Sequence, residues 1–480
     1  MKSFIAALLL VFCVTATFAQ NPTPESFVEK GKEALKANNL KEAEANFQKA
    51  LDMTKSKNPD ILNSVAEGWL TNPQLASRAK PLLEKSINVK ATYKAKILLG
   101  DYYLSLGNGG LAISNYEDAA GIEPKNAIPH YKVGIVYLRS TNREAALEAF
   151  KKAIEVDPNF ALAYKEAAEL YYYNKDGANA VSAQEKFIQL NQDEKEKDLA
   201  NIKLGYYVFM TKDFAKANSI FETAYSKGLL KETSLKYYSL SLAQSGNIPK
   251  ADEIFQEFMK VSKPGDIDAA EFKQAADFKL KLSEDTKDSV AMLTAVAYMD
   301  SSLSRDDKQV NLRQQKAKIL YDLRKYPEAV KAYQELIAAR KDGKPLSADL
   351  FNYGRAVYYT SNFQKADSIF VKLQEAQPTM TIGYQWQGRA LAQQDPETEK
   401  GLAKPAYEKL IPVALATPDK TKKELIEAYS YLGYYYYLKG NLNESLKNWN
   451  AVLGIDPKNA QATEAVTALK KMQAAPKPKP

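Results

Sequence analysis

A chain of 480 residues exceeds the size at which a single hydrophobic core keeps growing, so it is either several domains or one elongated repeat array. Hydrophobic residues at 45% and charged residues at 26% are ordinary globular proportions, and with only 21 glycines and 21 prolines most of the chain is expected to fold. The formal charge of +8, from 66 Lys plus Arg against 58 Asp plus Glu, is a mild excess with both signs interspersed; the one Lys-dense run without acids is the short tail Lys477 to Lys479, which argues against nucleic acid as a partner.

The chain begins with Met1-Lys2-Ser3 and an apolar run, Phe4 to Val14, too short to span a bilayer. It ends in Thr17-Phe18-Ala19, small residues where an export peptidase cuts, so residues 1–19 are expected to be a signal peptide cleaved after Ala19. The single cysteine, Cys13, follows bulky Phe12 in Leu10-Val11-Phe12-Cys13, the wrong neighbour for a lipid-anchor signal. No later stretch is apolar for about 18 residues. The mature chain is therefore expected to be exported, periplasmic or extracellular, without a transmembrane segment, a disulfide or a thiolate metal site.

From there one pattern recurs. Its first instance is Gly31, Ala43, Phe47 and Ala50; a shorter, divergent second carries Gly68, Ala79, Leu83 and Ser86. The third has Gly100, Tyr103, Ala112, Tyr116, Ala119 and Pro124, and the fourth repeats it in register with Gly134, Tyr137, Ala146, Phe150, Ala153 and Pro158. Ala168, Ala180 and Phe187 mark a fifth, Gly205, Ala217, Phe221 and Ala224 a sixth, and Ala251, Phe255 and Phe258 a seventh. Past Lys263-Pro264-Gly265 the register weakens, and Ala269 to Leu303 reads as a degenerate helical pair. Order returns with Ala317, Ala329, Tyr333 and Leu336, then with Gly354, Ala366, Phe370, Leu373 and Pro378. An eleventh, with Gly388, Tyr407 and Leu410, has a longer turn at Asp395 to Lys400, and Gly433, Tyr436, Ser445, Trp449, Val452 and Pro457 close the series.

Each position has a reason within two antiparallel helices. The small residue of the first helix lies where the helices cross, where a side chain would push the axes apart. Alanines on the second helix flank the aromatic that fills the gap. The proline, lacking an N–H, suits the first turn of the next helix, and Gly107-Asn108-Gly109 and Thr141-Asn142 fall in turns. The predicted layout is an array over 20–266, a joint at 267–306, a second array over 307–458, a capping helix at 459–473 with Val466 and Leu469 inward, and a disordered tail at 474–480.

These repeats resemble the tetratricopeptide-repeat (TPR) family over nearly the whole mature length. The resemblance implies an all-α solenoid, a right-handed superhelix of about twelve helix-turn-helix repeats whose first helices line a concave face. On that resemblance Tyr131, Ile135, Arg139, Tyr172, Tyr173, Tyr206, Phe209, Arg355, Tyr358, Tyr359, Arg389, Tyr434 and Tyr437 would point into the groove. Tyrosine and arginine dominate binding hot spots because each joins a large rigid contact area to a polar end; the alternative, that these tyrosines pack between repeats, stays open. The expected function is a non-catalytic scaffold whose groove takes a protein or peptide partner in an envelope complex, with peripheral envelope association. The second reading is an envelope glycan-binding protein, since tyrosines also stack on sugar rings.

The chaperone-docking members of the family hold a carboxylate with Lys and Asn, but beside Lys94 and Lys165 this chain has Ile97 and Glu169, so that clamp does not assemble. Catalytic chemistry is scarce. His130 is the only histidine and occupies a packing position; it cannot alone build a zinc site. Gly107-Asn108-Gly109-Gly110 follows a helix and lacks the Gly-Lys-Ser/Thr ending of a phosphate loop. Glu284-Asp285 and Asp306-Asp307 read as solvated turn residues. No enzyme activity, cofactor or metal is expected.

Overall fold

The structure, a computed structural model, describes residues 22–474. The expected signal peptide at 1–19, Cys13 within it and the tail beyond Ala474 lie outside the described residues. Among the described residues there are 25 α-helices, two short 3-10 turns and no strand. None of these helices is long and apolar enough to cross a membrane.

The chain forms two compact units divided after Leu230. In the first, α1 (Pro24–Lys36) pairs with α2 (Leu40–Met53), α3 (Pro59–Leu70) with α4 (Ala79–Val89), and α5 (Tyr93–Ser105) with α6 (Gly109–Ile122). Then α7 (Ile128–Arg139) pairs with α8 (Arg143–Val156), α9 (Ala161–Tyr173) with α10 (Gly177–Leu190), and α11 (Glu194–Met210) with α12 (Phe214–Ser226). The second unit continues the alternation: α13 (Glu232–Gln244) with α14 (Ile248–Val261), α15 (Ala269–Ser283) with α16 (Ser289–Arg305), and α17 (Val310–Asp322) with α18 (Tyr326–Ala339). There follow α19 (Ser347–Tyr359) with α20 (Phe363–Ala376), α21 (Thr381–Gln394) with α22 (Lys404–Leu415), and α23 (Lys422–Leu438) with α24 (Leu442–Ile455). A last helix, α25 (Ala460–Ala474), buries Val466 and Leu469 against Trp449 and Val452.

The crossing glycines explain the pairing. A Cβ on Gly31 would lie 2.4 Å from the Phe47 ring, one on Gly100 2.4 Å from Tyr116, one on Gly134 2.4 Å from Phe150 and one on Gly205 2.7 Å from Phe221. In the second unit Gly354 meets Phe370 at 2.6 Å, Gly388 meets Tyr407 at 2.7 Å and Gly433 meets Trp449 at 2.7 Å. Removing the Cβ lets the ring of the second helix lie on the backbone of the first, and these rings are among the most buried in the chain.

Gly68 departs from this rule. Its Cβ would meet Phe47 of the preceding pair at 2.7 Å instead of Leu83 of its own. In this repeat the spacing from glycine to Ala79 and Leu83 is one residue short, and α3 ends at Leu70 with a 3-10 turn, Ala76–Arg78, before α4. The glycine faces α2, where Trp69 also packs edge-on against Phe47 at 4.9 Å. The pair α15–α16, the least regular in sequence, is nonetheless well buried: Ala276, Ala295, Met299 and Leu303 cluster with Leu312 of α17. It is started by a reciprocal cap in which Asp268 and Glu271 each accept the other's backbone N–H.

The turn between the helices of a pair is a repeated unit too. A residue in the left-handed region precedes an Asn or Asp whose side chain accepts an N–H from the new helix: Gly107 before Asn108, Thr141 before Asn142, Lys175 before Asp176, Lys212 before Asp213, Gly246 before Asn247. Where that first residue is not glycine the backbone is strained. Lys212, at φ 64, is exposed, so Lys212→Gly is expected to raise the unfolding free energy by up to about 1 kcal/mol, read as a higher urea midpoint at unchanged slope.

Candidate functional site

Helix pairing places the first helices of successive repeats side by side, and charged side chains bridge them. Glu67 of α3 takes Lys32 of α1 on one side and Lys94 of α5 on the other, each at 3.2 Å. Asp101 of α5 pairs with Lys132 of α7 at 2.7 Å and accepts the Tyr116 hydroxyl at 2.6 Å. Lys165 of α9 reaches Glu196 of α11, and Glu169 of α9 accepts from Lys203 of α11, both at 2.6 Å. In the second unit Lys236 of α13 pairs with Glu271 of α15, and Arg389 of α21 holds Glu427 of α23 with both arms of its guanidinium, at 2.8 and 2.6 Å. Half-exposed pairs of this kind stabilise little individually, but they decide which charges on this face are left for a partner.

The electrostatic consequences differ by site. Burial alone would raise the Glu67 carboxyl, yet its two lysines outweigh it and hold the group below the ordinary glutamate range. The Glu427 hydrogen bond raises Arg389 above its usual value. Glu166 of α9 goes the other way: burial, then the nearby Glu169 charge, raise its carboxyl. A carboxylate raised on folding penalises the native state once it ionises, so this cost grows as pH climbs from the ordinary glutamate range through the raised value. Glu166→Gln is accordingly expected to increase the melting temperature at pH 7 and leave it unchanged at pH 4.

The sequence-predicted groove residues fall into separate groups. Tyr131, Ile135 and Arg139 line a cleft of about 420 Å³ between α5 and α7, together with Asp101, Tyr116 and Lys132. Tyr172 leans on Tyr207 at 5.0 Å and Tyr173 lies under Arg143 at 4.7 Å; Tyr206 packs on Phe221 and Phe209 on Phe214. Tyr358 is wedged edge-on between Phe363 at 5.2 Å and Trp386 at 5.4 Å, while Tyr359 stacks on Tyr326 at 4.8 Å. Arg355 lies over the rings of Tyr321, Phe351 and Trp386, at 4.9, 5.2 and 5.3 Å. Burial outweighs Arg355 to push the Tyr321 hydroxyl up to about 12. Tyr434 and Tyr437 face α25 across a cleft of about 330 Å³ lined also by Trp449, Glu464 and Met472.

Exposure separates these residues. Tyr131, Tyr172, Tyr206, Phe209, Tyr358, Arg355 and Arg389 are half-buried, so packing accounts for much of their surface. Among the described residues the exposed tyrosines are Tyr173, Tyr359, Tyr434 and Tyr437, and all four sit on first helices. Tyr321, Tyr326, Trp386 and Glu427 belong to the same surroundings and were not singled out from sequence. A tryptophan two residues before a crossing glycine could have marked Trp386; nothing local marks Glu427, which lies 38 residues from Arg389.

The remaining candidates occupy helix, turn and helix-end positions. His130 is half-buried, and burial followed by the Lys152 charge lowers its pKa. No group of His, Cys, Asp and Glu able to hold a metal occurs among the described residues. Gly107, at φ 74, and Asn108 form the α5–α6 turn. Glu284-Asp285 and Asp306-Asp307 are exposed at the ends of α15 and α16. Lys94 and Lys165 are taken up by Glu67 and Glu196.

Comparison with known proteins finds matches to family models described as tetratricopeptide repeat at residues 131–194 and 315–380, and to a second such model at 93–126. No curated protein matches. Among solved structures, the C-terminal part of a TPR repeat-containing protein from Cytophaga hutchinsonii is 26% identical, covering 55% of this chain and 99% of that one with a TM-score of 0.40. PilF of Pseudomonas aeruginosa is 18% identical over 46% of this chain and 97% of its own, with a TM-score of 0.35. YrrB, described as a TPR protein with an unusual peptide-binding site, is 20% identical over 35% and 87%, with a TM-score of 0.27.

Proposed function

Because this chain is a tetratricopeptide-repeat protein with an all-α solenoid fold, we propose that it is a non-catalytic scaffold that binds a protein or peptide partner along its first helices. The observation that carries this reading is the placement of the exposed tyrosines. Tyr173, Tyr359, Tyr434 and Tyr437 keep much of their surface in water, and all four belong to first helices, the helices that by resemblance to the family would line a groove. The cleft between α23 and α25 adds shape to this chemistry: Tyr434, Tyr437 and Trp449 line it together with Glu464, Leu469 and Met472. The basic start and apolar run of residues 1–19 support export, and with it a partner in an envelope complex.

The test uses the chain from Gln20 onward as bait in envelope extracts, with bound proteins identified by mass spectrometry. A reproducible partner is expected, and its yield should fall at least tenfold for Tyr434→Ala with Tyr437→Ala. Both side chains are over 40% exposed, at 44% and 41%, so the melting temperature should stay unchanged. Absence of any protein partner together with binding on a glycan array would overturn the proposal.

A further inference from the structure

The charged ladder along the first helices has a gap in the second unit. Arg355 of α19 forms no ion pair among the described residues, and its buried Nε meets no hydrogen-bond acceptor. Its neighbour Arg389 also lies over the Trp386 ring, at 4.9 Å, but is consumed by Glu427. Arg355 instead has its guanidinium carbon within 5.3 Å of the rings of Tyr321, Phe351 and Trp386, with the stacked pair Tyr326 and exposed Tyr359 alongside.

Ring faces attract a guanidinium but leave its N–H groups, which lie in the plane, without acceptors. A guanidinium fixed in orientation and partly shielded from water, with unused donors, is matched by a carboxylate, which accepts two parallel N–H bonds. The adjoining aromatic surface suits an apolar residue next to that carboxylate.

We propose that Arg355 and the rings around it form a subsite for an acidic side chain of a partner peptide, an internal Asp or Glu beside an apolar residue. The proposal rests on the peptide-binding reading above and narrows it to a ligand chemistry. It differs from capture of a chain terminus, because one arginine among aromatic rings replaces a lysine and asparagine set.

Two immobilised pools of nine-residue peptides, with randomised flanks and either Glu or Gln at the fifth position, are probed with the full chain. The Glu pool is expected to retain at least fivefold more protein, and the excess should shrink as salt is raised. Arg355→Gln should reduce the ratio of Glu-pool to Gln-pool retention below twofold. If R355Q loses its cooperative melt, R355K takes its place: it keeps the charge without the planar fork, and loss of at least half of the preference is expected. Equal retention of the two pools by the unaltered chain, or a Glu preference that survives in a folded Arg355 variant, overturns the subsite but leaves the scaffold reading standing. Retention by neither pool also overturns the subsite, while the scaffold reading stands or falls by the capture from envelope extracts.

Discussion

Asp349→Ala is expected to destabilise the second unit by about 3–5 kcal/mol, the usual cost of removing one partner of a buried ion pair. The carboxylate is 2% exposed and sits in the first turn of α19, facing back toward the end of α18. It accepts Arg340 Nε at 2.8 Å, Arg340 Nη2 at 3.0 Å and the Leu346 backbone N–H at 3.0 Å. Arg340 is itself largely covered, at 15%, so alanine would strand a guanidinium and an amide in a site that water reaches poorly. The exposed pair Lys318–Asp322 is the control: Asp322→Ala should change stability by less than about 0.5 kcal/mol. Urea unfolding measures both. In a repeat array contacts run mainly between neighbours, so hydrogen exchange should show the Asp349→Ala loss first in α18 and α19. A uniform loss of protection through the unit would contradict this account.

Gly134→Ala should be nearly as damaging, at about 1–3 kcal/mol, although alanine is the better helix former by about 1 kcal/mol. The added methyl would sit 2.4, 2.7 and 2.8 Å from three ring atoms of Phe150, which is fully buried between Ala146 and Ala153 and cannot swing away. Either α7 moves off α8 or the ring leaves its rotamer. Gly121, on α6, has nothing within 4 Å of its Cβ position, and there the same substitution should stabilise by up to about 1 kcal/mol. Opposite signs from one chemical change would identify helix crossing, not propensity, as the reason for the repeated glycine. Two changes of the same sign would refute it.

The repeats were legible because the crossing glycine and its aromatic are contacts at fixed short spacing, a relation that one sequence records directly. Gly68 shows the limit: its residue type is right, but in a repeat with an irregular connection it lies against the ring of the preceding pair. The turns show another. Gly107, Gly246 and Gly440 announce a left-handed backbone, whereas Lys175 and Lys212 adopt the same conformation without any sign in their chemistry. For the candidate site, sequence placed the tyrosines and arginines on first helices but could not rank them. Arg355 and Arg389 occupy the same repeat position, one after Gly354 and one after Gly388. Their difference lies in Glu427, on another helix, and is visible only when the helices are side by side.

The Lys32–Glu67–Lys94 bridge also carries information about order. Deleting the α3–α4 pair would bring α1 against α5 and set Lys32 opposite Lys94, like against like. The repeats share a shape but are not interchangeable bricks: at this position the sequence of charges differs from pair to pair, so loss of one pair would exchange two weak attractions for a weak repulsion.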